Sequence, residues 1–381
     1  MSLPPPDTDA LAHSERLREQ IIREIAANGG WLSFARYMEL ALYTPGLGYY
    51  SGGARKFGAA GDFVTAPELS PLFAEALAFQ AADILAAGEP EIIEVGAGTG
   101  TLAVGLLGAL ERRNALPRRY AIVELSAELR QRQRENLEAA APRLLPRVEW
   151  LDALPATFSG LVLANEVLDA MPVHIAAWRE DGIRERGVAV DAAGSFVWQE
   201  RPAEGALLGA ARTLPVGAPY VSEINLAARA WVATWGGILA RGALILIDYG
   251  FPRREYYHSQ RTSGTLMCHY RHHAHADPFY LPGLNDITAH VDFTALADAG
   301  HAAGLAVPGY TSQAEFLLNC GLTEVLAGHA PDDSRYARLA AGAQKLISPS
   351  EMGELFKVMA LAKGIAGPLR GFRRGDRVHT L

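Results

Sequence analysis

The most constraining feature of this 381-residue chain is a glycine-rich segment that follows a short apolar run. Residues 91–95 lead into Gly96, Gly98 and Gly100, and apolar side chains at helical spacing follow over residues 102–110. This order predicts a strand, a tight turn and a helix, which together begin a nucleotide-binding α/β sheet. Glycines in such a turn let the backbone approach a ligand closely at the helix N-terminus.

The spacing of the glycines excludes two common nucleotide-binding loops. A dinucleotide loop reads G-x-G-x-x-G, but Thr101 stands where its last glycine would be, and no Lys-Ser or Lys-Thr pair marks a P-loop. The segment from Glu94 to Gly100 is similar instead to the first motif of class I S-adenosylmethionine-dependent methyltransferases, whose loop wraps the methionine end of the cofactor. A glycine-rich turn in another α/β protein is the alternative.

Two further acidic residues stand at the ends of predicted strands. Glu124 ends an apolar segment, where nucleotide-binding folds place a carboxylate that accepts hydrogen bonds from ribose hydroxyls. Asp152 ends a third predicted strand, and in methyltransferases such a residue usually meets the adenine amino group; a solvated loop carboxylate is the alternative. The residues predicted to bind the cofactor from the sheet are Glu94, Gly96, Gly98, Gly100, Glu124, Leu125, Asp152 and Ala153.

A long glycine-rich loop precedes the sheet, from Tyr49 to Glu68. Loops of more than about a dozen residues are usually functional lids or disordered, and the aromatic residues of this one favour a lid. We expect it to fold over the cofactor, with Asp62, Phe63 and Thr65 near the methionine end. Residues 65–68 also have the Thr-x-x-Glu form of a capping box, with proline in the first turn.

Composition limits the classes of function. The net charge of −7 gives no electrostatic footprint for nucleic acid, and no apolar run reaches the ~18 residues that span a bilayer. Two cysteines are too few for a disulfide framework, and the first residues do not resemble a signal peptide, so we expect a cytoplasmic protein. The arginines of the last twelve residues predict a solvated terminus rather than a binding patch; they are Arg370, Arg373, Arg374 and Arg377.

The remaining apolar segments predict an α/β fold with a seven-stranded sheet whose last strand is inserted antiparallel. Residues 161–164, 243–250, 305–311 and 356–362 supply its later strands, and the short alternating runs after residue 173 predict an antiparallel insertion. The predicted organisation is N-terminal helices with a lid loop (1–88), the first half of the cofactor-binding core (89–172), the insertion (173–220), the second half of the core with substrate-side loops (221–364) and a basic tail (365–381).

Five segments in order narrow the resemblance to the MidA-like family of methyltransferases; they are residues 61–68, 94–100, 165–173, 247–250 and 286–293. The resemblance covers residues 15–363. It implies the class I Rossmann-like fold and S-adenosyl-L-methionine as cofactor. The family includes a mitochondrial assembly factor of respiratory complex I that methylates a protein arginine. The resemblance therefore implies a protein substrate, with a respiratory complex subunit as one candidate.

The segment after the fourth predicted strand offers the residues for such chemistry. A guanidinium stays protonated and delocalised, and carboxylates that bind its N–H groups orient it and draw its charge away from the attacking nitrogen. Glu166 and Asp169 lie three positions apart and face the same side if the turn is helical, and Asn165 adds an amide. The alternative for Asn165 and Asp169 is helix capping.

His290 and Asp292 are further candidates for the substrate pocket, with a helix cap by Asp292 as the alternative. The predicted catalytic residues are thus Glu166, Asp169, Asn165 and His290. A histidine-rich stretch contains residue types that can bind a metal ion, but its spacing matches no known metal site. Methyl transfer needs no metal, so we interpret these residues as surface histidines. Its residues are Cys268, His269, His272, His273, His275 and Asp277.

Three functions remain open from the sequence. The first is a protein arginine methyltransferase, which an open acidic groove beside Glu166 would favour. The second is a small-molecule methyltransferase, which a closed apolar pocket under the lid would favour. The third is an assembly chaperone that binds the cofactor without turnover.

Overall fold

The computed structural model describes residues 3–52, 65–330, 334–365 and 367–381. Most of the predicted lid, including Asp62 and Phe63, lies outside the described residues. Within them the helices are α1 Thr8–Ala27, α2 Phe34–Tyr43, α3 Ala66–Leu69, α4 Pro71–Ala87, α5 Thr101–Arg112, α6 Ala127–Ala140, α7 Gly205–Arg212, α8 Leu226–Ile238, α9 Arg253–Tyr256, α10 Phe293–Ala302, α11 Gln313–Asn319, α12 Leu322–Ala327, α13 Tyr336–Ile347 and α14 Met352–Leu355.

The strands in the same residues are β1 Leu32–Ser33, β2 Glu91–Val95, β3 Arg119–Val123, β4 Val148–Leu151, β5 Phe158–Asn165, β6 His174–Arg179, β7 Gly182–Val190, β8 Phe196–Pro202, β9 Tyr220–Ile224, β10 Leu239–Phe251, β11 Met267–Tyr270, β12 His273–His275, β13 Asp286–Thr288, β14 Val291–Asp292, β15 Ala306–Ser312 and β16 Phe356–Lys363. No helix among the described residues is long and apolar enough to cross a membrane.

The chain forms two compact units whose segments alternate along the sequence. The first unit comprises Met1–Phe63, Asp169–Ala230 and Phe251–Asp292, and the second comprises Val64–Leu168, Trp231–Gly250 and Phe293–Leu381. The N-terminal helices therefore belong to the same unit as the antiparallel insertion, which the sequence did not indicate.

The second unit is built on a mixed sheet with the strand order β4-β3-β2-β5-β10-β16-β15. The pairs from β4 to β10 are parallel, whereas β16 runs antiparallel to both β10 and β15. A two-residue strand, β14, is off this path. The glycine segment follows β2 and the Asn165–Glu166 turn follows β5, so both lie at the carboxyl ends of adjacent parallel strands. Open α/β sheets bind ligands in the crevice at such an edge.

The central strands of this sheet are apolar because helices cover both faces of a parallel sheet. Ile92, Ile93 and Ile245 are fully buried, and each aliphatic side chain contributes roughly 1.5–3 kcal/mol by leaving water. Small residues bring the helices close: a Cβ on Gly105 of α5 would lie 2.8 Å from the Cβ of Ala74 on α4. This packing gives the loops at the carboxyl edge a rigid support.

The first unit packs α1 and α2 with an antiparallel sheet of order β1-β7-β6-β9, in which β8 pairs with β7. Its core is rich in aromatic residues; Tyr37 is fully buried and donates a hydrogen bond from its hydroxyl to Pro278 O at 2.7 Å. A smaller sheet of order β12-β11-β13 belongs to the same unit. The predicted hairpins after residue 173 are therefore present.

The C-terminal segment packs onto the second unit at Arg370, Phe372 and Arg377, whereas Arg373 and Arg374 are exposed as expected. Arg370 forms two hydrogen bonds to the carboxylate of Asp83 at 2.8 and 3.0 Å, and Phe372 is buried against Phe316. Arg377 pairs with Glu354 at 2.5 Å. The expectation for Arg370 and Arg377 was wrong because composition alone does not show that carboxylates of α4 and α14 lie opposite them.

Candidate functional site

The glycine segment forms a tight loop at the carboxyl end of β2. Gly96, Gly98 and Gly100 have φ angles of 67°, 53° and 82°, in the left-handed region that favours glycine. The N–H of Gly96 donates to Val123 O at 2.9 Å, and a Cβ at Gly96 would lie 2.9 Å from Val167 Cγ2. The loop therefore needs glycine for its backbone conformation and, at Gly96, for its close approach to the segment after β5.

Glu94 lies directly before this loop and is 3% exposed. The hydroxyl of Tyr120 donates a hydrogen bond to Glu94 Oε2 at 2.7 Å. Burial raises the pKa of Glu94 to about 7, the Tyr120 hydrogen bond opposes that rise, and the nearby charge of Glu124 adds to it. A carboxylate in this state is ready to ionise when a cationic ligand group comes close.

Glu124 follows β3 and is also buried. Its Oε1 accepts a hydrogen bond from Ser126 N at 3.0 Å and its Oε2 accepts one from Gln133 Nε2 at 3.1 Å. Burial raises the pKa of Glu124, while these two donors and the charge of Arg130 lower it. The structure thus places Glu94 and Glu124 beside the glycine loop, as the sequence predicts.

Asp152 follows β4 and has a side chain that is 91% exposed. Its Oδ1 accepts a hydrogen bond from Arg130 Nη1 at 2.5 Å, and the same guanidinium donates to Glu124 O and Leu151 O at 2.7 and 2.8 Å. Arg130 therefore links the ends of β3 and β4. Sequence analysis did not identify this arginine, because only the fold brings the two strand ends to it.

Leu125 and Ala153 lie beside these carboxylates in sequence and are exposed. Leu125 is 84% exposed, the highest value among the large apolar side chains that the structure describes. An uncovered leucine at the carboxyl edge of the sheet suits contact with a flat apolar ligand group. The role of Asp152, Leu125 and Ala153 stays a prediction.

Thr65 precedes α3, the short helix that ends the predicted lid, and Glu68 lies within it. Thr65 makes no side-chain capping hydrogen bond, although proline is in the first turn as expected. Glu68 Oε1 accepts instead from Thr99 Oγ1 in the glycine loop, at 3.1 Å. The predicted capping box was therefore wrong: the Thr65 hydroxyl does not cap the helix, and Glu68 binds the glycine loop.

The turn after β5 is not helical. Glu166 has a φ of 55°, which is uncommon for a residue with a side chain, and its Oε1 accepts from Ala66 N at 3.3 Å and Asn165 Nδ2 at 3.1 Å. The buried carboxylate of Asp248 accepts from Val167 N at 3.2 Å and Leu168 N at 2.9 Å. Because the turn is not helical, Glu166 and Asp169 do not share one face of a helix.

The two polar atoms of the Asn165 amide differ in their hydrogen bonding. Its Nδ2 donates to Glu166, whereas its Oδ1 is buried and has no hydrogen-bond partner among the described residues. An unpaired buried acceptor costs about 1–3 kcal/mol, so a ligand donor at this position would be favourable. Asn165 therefore contributes an acceptor at the carboxyl edge of the sheet, and it does not cap a helix.

Asp169 and His290 belong to the first unit. Asp169 is buried, and its backbone oxygen accepts a hydrogen bond from Ala289 N at 3.0 Å. His290 stacks its ring on Phe251 with the two planes 4° apart, and its backbone N–H donates to Thr265 Oγ1 at 3.0 Å. Asp292 in the same unit lies 3.8 Å from Arg253 Nε. Their catalytic role stays a prediction.

The histidine-rich stretch forms a hairpin of β11 and β12, with Arg271 and His272 at its turn in left-handed backbone conformations. His275 Nε2 lies 3.2 Å from Asn285 Oδ1. Among the residues that the structure describes, no group of three or more His, Cys, Asp or Glu is placed to hold a metal ion.

The second unit thus offers acceptors for a ligand that carries an ammonium group, hydroxyls and an aromatic amine. Glu94, Glu124 and Asp152 are the acidic acceptors, and the backbone of the glycine loop is open to close approach. This donor and acceptor chemistry fits S-adenosylmethionine, which carries these groups and no phosphate. Two contributing residues, Gln133 and Asp248, were not among the predicted site residues.

The amino-acid sequence is similar to those of known proteins. The family described as "Putative S-adenosyl-L-methionine-dependent methyltransferase" matches residues 76–311, more than half of the chain. The chain is 31% identical to a Mus musculus protein and 28% identical to a Danio rerio protein, both named mitochondrial protein arginine methyltransferase NDUFAF7. These similarities cover 87% of this chain and 81% of the mouse protein, and 91% of this chain and 88% of the zebrafish protein.

A solved structure is closer still. A Burkholderia thailandensis protein of the COG1565 superfamily is 56% identical, with a TM-score of 0.97 over all of both chains. Its crystal structure contains S-adenosyl-homocysteine, the product that remains when S-adenosylmethionine has given up its methyl group.

Proposed function

Since the chain belongs to the MidA-like family of S-adenosylmethionine-dependent methyltransferases, we propose that it methylates an arginine side chain of a protein substrate. The methyl donor is S-adenosyl-L-methionine. The names of the mouse and zebrafish relatives support the arginine substrate, at 31% and 28% identity.

The observation that carries the proposal is the left-handed turn at Glu166. Such a backbone conformation costs of order 1–3 kcal/mol in a residue with a side chain and persists only where surrounding contacts enforce it. Here Asp248 accepts the next two N–H groups of the turn, and Ala66 N and Asn165 Nδ2 both donate to Glu166 Oε1. An acidic side chain is therefore held in a fixed orientation at the carboxyl edge of the sheet.

The bound cofactor supplies an electrophilic methyl group on a sulfonium. One guanidinium nitrogen of the substrate gains the methyl group and releases a proton to solvent, and the sulfur keeps the electron pair of the broken bond. Glu166 accepts hydrogen bonds from the guanidinium and sets the direction of the attacking nitrogen. A fixed carboxylate favours this step because correct orientation alone lowers a barrier by several kcal/mol.

Asn165 assists on the same edge of the sheet. Its buried Oδ1 accepts a hydrogen bond from an N–H of the guanidinium or of the cofactor, and its Nδ2 keeps the Glu166 carboxylate in place. A guanidinium has five N–H donors, so a carboxylate and an amide oxygen side by side suit it better than they suit a neutral acceptor with one hydroxyl.

The proposal is tested with Glu166→Gln, which keeps the shape of the side chain and removes its charge. Loss of one charge-assisted hydrogen bond of about 1.5–3 kcal/mol slows methylation of protein substrates roughly ten- to a hundredfold. Affinity for S-adenosyl-homocysteine, measured by calorimetry, should change little. The control is Glu138→Gln on the exposed side of α6, which should affect neither quantity.

The acceptor is identified with labelled cofactor, a cell lysate and mass spectrometry. Labelled methylarginine in a protein that Glu166→Gln fails to modify supports the proposal. Label in a small molecule, with equal activity in both variants, shows a small-molecule methyltransferase. Cofactor binding with no transfer to any fraction shows a binding protein without turnover. An equal loss of cofactor affinity and activity in Glu166→Gln places Glu166 in the cofactor site and removes the argument for arginine.

A further inference from the structure

One fully buried polar side chain lies at the centre of the cofactor-binding loops. Gln133 is on α6, a helix whose buried residues are Leu129, Gln133 and Leu137. These three residues are four positions apart, so they form one stripe that faces the sheet. A glutamine between two leucines on such a stripe must form hydrogen bonds, because an unpaired buried amide is costly.

Gln133 forms three hydrogen bonds, each to a different element of the second unit. Its Nε2 donates to Gly98 O in the glycine loop at 2.9 Å and to Glu124 Oε2 after β3 at 3.1 Å. Its Oε1 accepts from Trp150 Nε1 on β4 at 2.8 Å. The partners determine which end of the amide is nitrogen, because two acceptors lie on one side and a donor lies on the other.

The partners of Gln133 are themselves predicted to bind the cofactor. Gly98 is the middle glycine of the loop, and Glu124 is the acidic residue expected to receive the ribose hydroxyls. Burial raises the pKa of Glu124, and the Gln133 hydrogen bond opposes this rise by favouring the ionised carboxylate. The packing is close as well, since a Cβ on Gly100 would lie 3.2 Å from Gln133 Cα.

We propose that Gln133 is a positioning residue for the cofactor, which it holds indirectly by fixing the carbonyl of Gly98 and the carboxylate of Glu124 in one arrangement. The inference rests on the proposed cofactor site, because it requires the glycine loop and Glu124 to bind S-adenosylmethionine. Both amide hydrogens of Gln133 are donated to protein groups, so Gln133 acts on the cofactor through Gly98 and Glu124. The hydrogen bond from Trp150 to Gln133 Oε1 keeps the amide from rotating by 180°.

The sharpest test is Gln133→Glu in the full-length protein, with S-adenosyl-homocysteine affinity measured by calorimetry. The new carboxylate would face Gly98 O and Glu124 Oε2 without a hydrogen to donate, so affinity at pH 8 should fall roughly ten- to a hundredfold. Gln131→Glu is the matched control, since Gln131 is exposed on the same helix and pairs with Glu135. The control should keep wild-type affinity.

The pH dependence separates positioning from general damage. Two facing carboxylates raise each other's pKa, so at pH 6 a shared proton should restore a donor and reduce the deficit of Gln133→Glu at least fivefold. Glu94 and Arg130 also act on Glu124, and Glu94 titrates in the wild type. The ratio of variant to wild-type affinity at each pH removes that common contribution.

Gln133→Met and Trp150→Phe keep the test decisive if Gln133→Glu does not fold. Methionine fills similar space without donors, and phenylalanine removes the hydrogen bond that orients the amide. Both should weaken binding, Gln133→Met more than Trp150→Phe, with no change of the affinity ratio between pH 6 and pH 8. Folded Gln133→Glu or Gln133→Met with wild-type affinity overturns the proposal. A deficit in Gln133→Glu that is equal at both pH values also overturns it, because it indicates general damage.

Failure of the site itself is a different result. Gly98→Val should abolish binding if the glycine loop holds the cofactor. Wild-type affinity in Gly98→Val shows that the cofactor binds elsewhere, and the proposed site fails together with the Gln133 inference. Lost binding in Gly98→Val, with unchanged binding in the Gln133 variants, overturns only the role of Gln133.

Discussion

The carboxylate of Asp248 accepts a hydrogen bond from the backbone N–H of Leu168 at 2.9 Å, across 80 positions of sequence. The same oxygen accepts from Val167, and the other carboxylate oxygen accepts from Tyr249 N at 2.9 Å. Asp248 therefore ties the end of β10 to the turn that presents Glu166. These three hydrogen bonds explain why a fully buried carboxylate is present in the segment 247–250.

Asp248→Asn should loosen this turn. An amide keeps one acceptor oxygen, so its NH₂ would face either the N–H groups of Val167 and Leu168 or that of Tyr249, and unsatisfied buried donors cost about 1–3 kcal/mol each. We expect a lower melting temperature and a fall in methyl transfer that exceeds the fall in affinity for S-adenosyl-homocysteine. Thermal unfolding, calorimetry and kinetics measure the three quantities. Asp9→Asn, at an exposed position, is the control, and equal effects of both substitutions would contradict this role.

Gly98→Val should remove cofactor binding, since the branched side chain would occupy space that the cofactor needs and would strain a backbone with φ of 53°. Gly304→Val is the matched control, because Gly304 has a φ of 80° with open space around it. Both variants carry the backbone strain, so both should lose some stability. Calorimetry should show that only Gly98→Val loses S-adenosyl-homocysteine; equal affinities would remove the loop from the site.

Glu94→Gln should stabilise the protein without cofactor at pH 8 and weaken cofactor binding. The folded-state pKa of about 7 lies above the ordinary glutamate pKa of 4.5, so the favourable contribution of protonated Glu94 is complete below pH 4.5 and is lost as the pH rises through 7. A neutral amide avoids this loss, which is at most roughly 3 kcal/mol. Unfolding at pH 5 and pH 8 checks the sign, and a stabilisation that is larger at pH 5 would contradict it.

S-adenosyl-homocysteine should slow amide exchange in α3. Thr99 of the glycine loop donates a hydrogen bond to Glu68, so a cofactor that orders the loop also restrains this helix. Thr99→Val keeps the shape of the side chain and removes the bond, and it should reduce the extra protection of Leu69 and Ser70. Mass-spectrometric exchange with and without ligand provides the measurement. Equal protection in both states would leave α3 unconnected to cofactor binding.

The sequence predicted those parts of the fold whose signal is local. The apolar runs of β2, β3 and β5 and the glycine turn are continuous in the chain, so pattern alone located Glu94 and Glu124. The α/β fold and the cofactor are confirmed by the comparisons. The same local reasoning failed at Thr65, whose hydroxyl forms no capping hydrogen bond, while Glu68 binds Thr99, which is remote in sequence.

The residues that sequence reasoning missed act across long separations. Gln133 is 35 positions from Gly98 and 17 from Trp150, and no periodic pattern connects them. One signal was present, since a glutamine on the apolar stripe of a helix must find partners. Whether the turn at Glu166 is helical was left open for a similar reason, because the carboxylate that binds the N–H groups of Val167 and Leu168 belongs to β10.

The alternation of the two units along the chain decides how the protein can be divided. The chain passes from one unit to the other at residues 63/64, 168/169, 230/231, 250/251 and 292/293, so no single cut releases either unit as a contiguous polypeptide. A chain that ends before residue 292 would lack part of both units. Synthesis must therefore reach residue 292 before the first unit has all its segments, and it must continue through the segment that begins at residue 293 before the second unit is complete. Recombination that exchanges whole units between relatives would need five matched junctions.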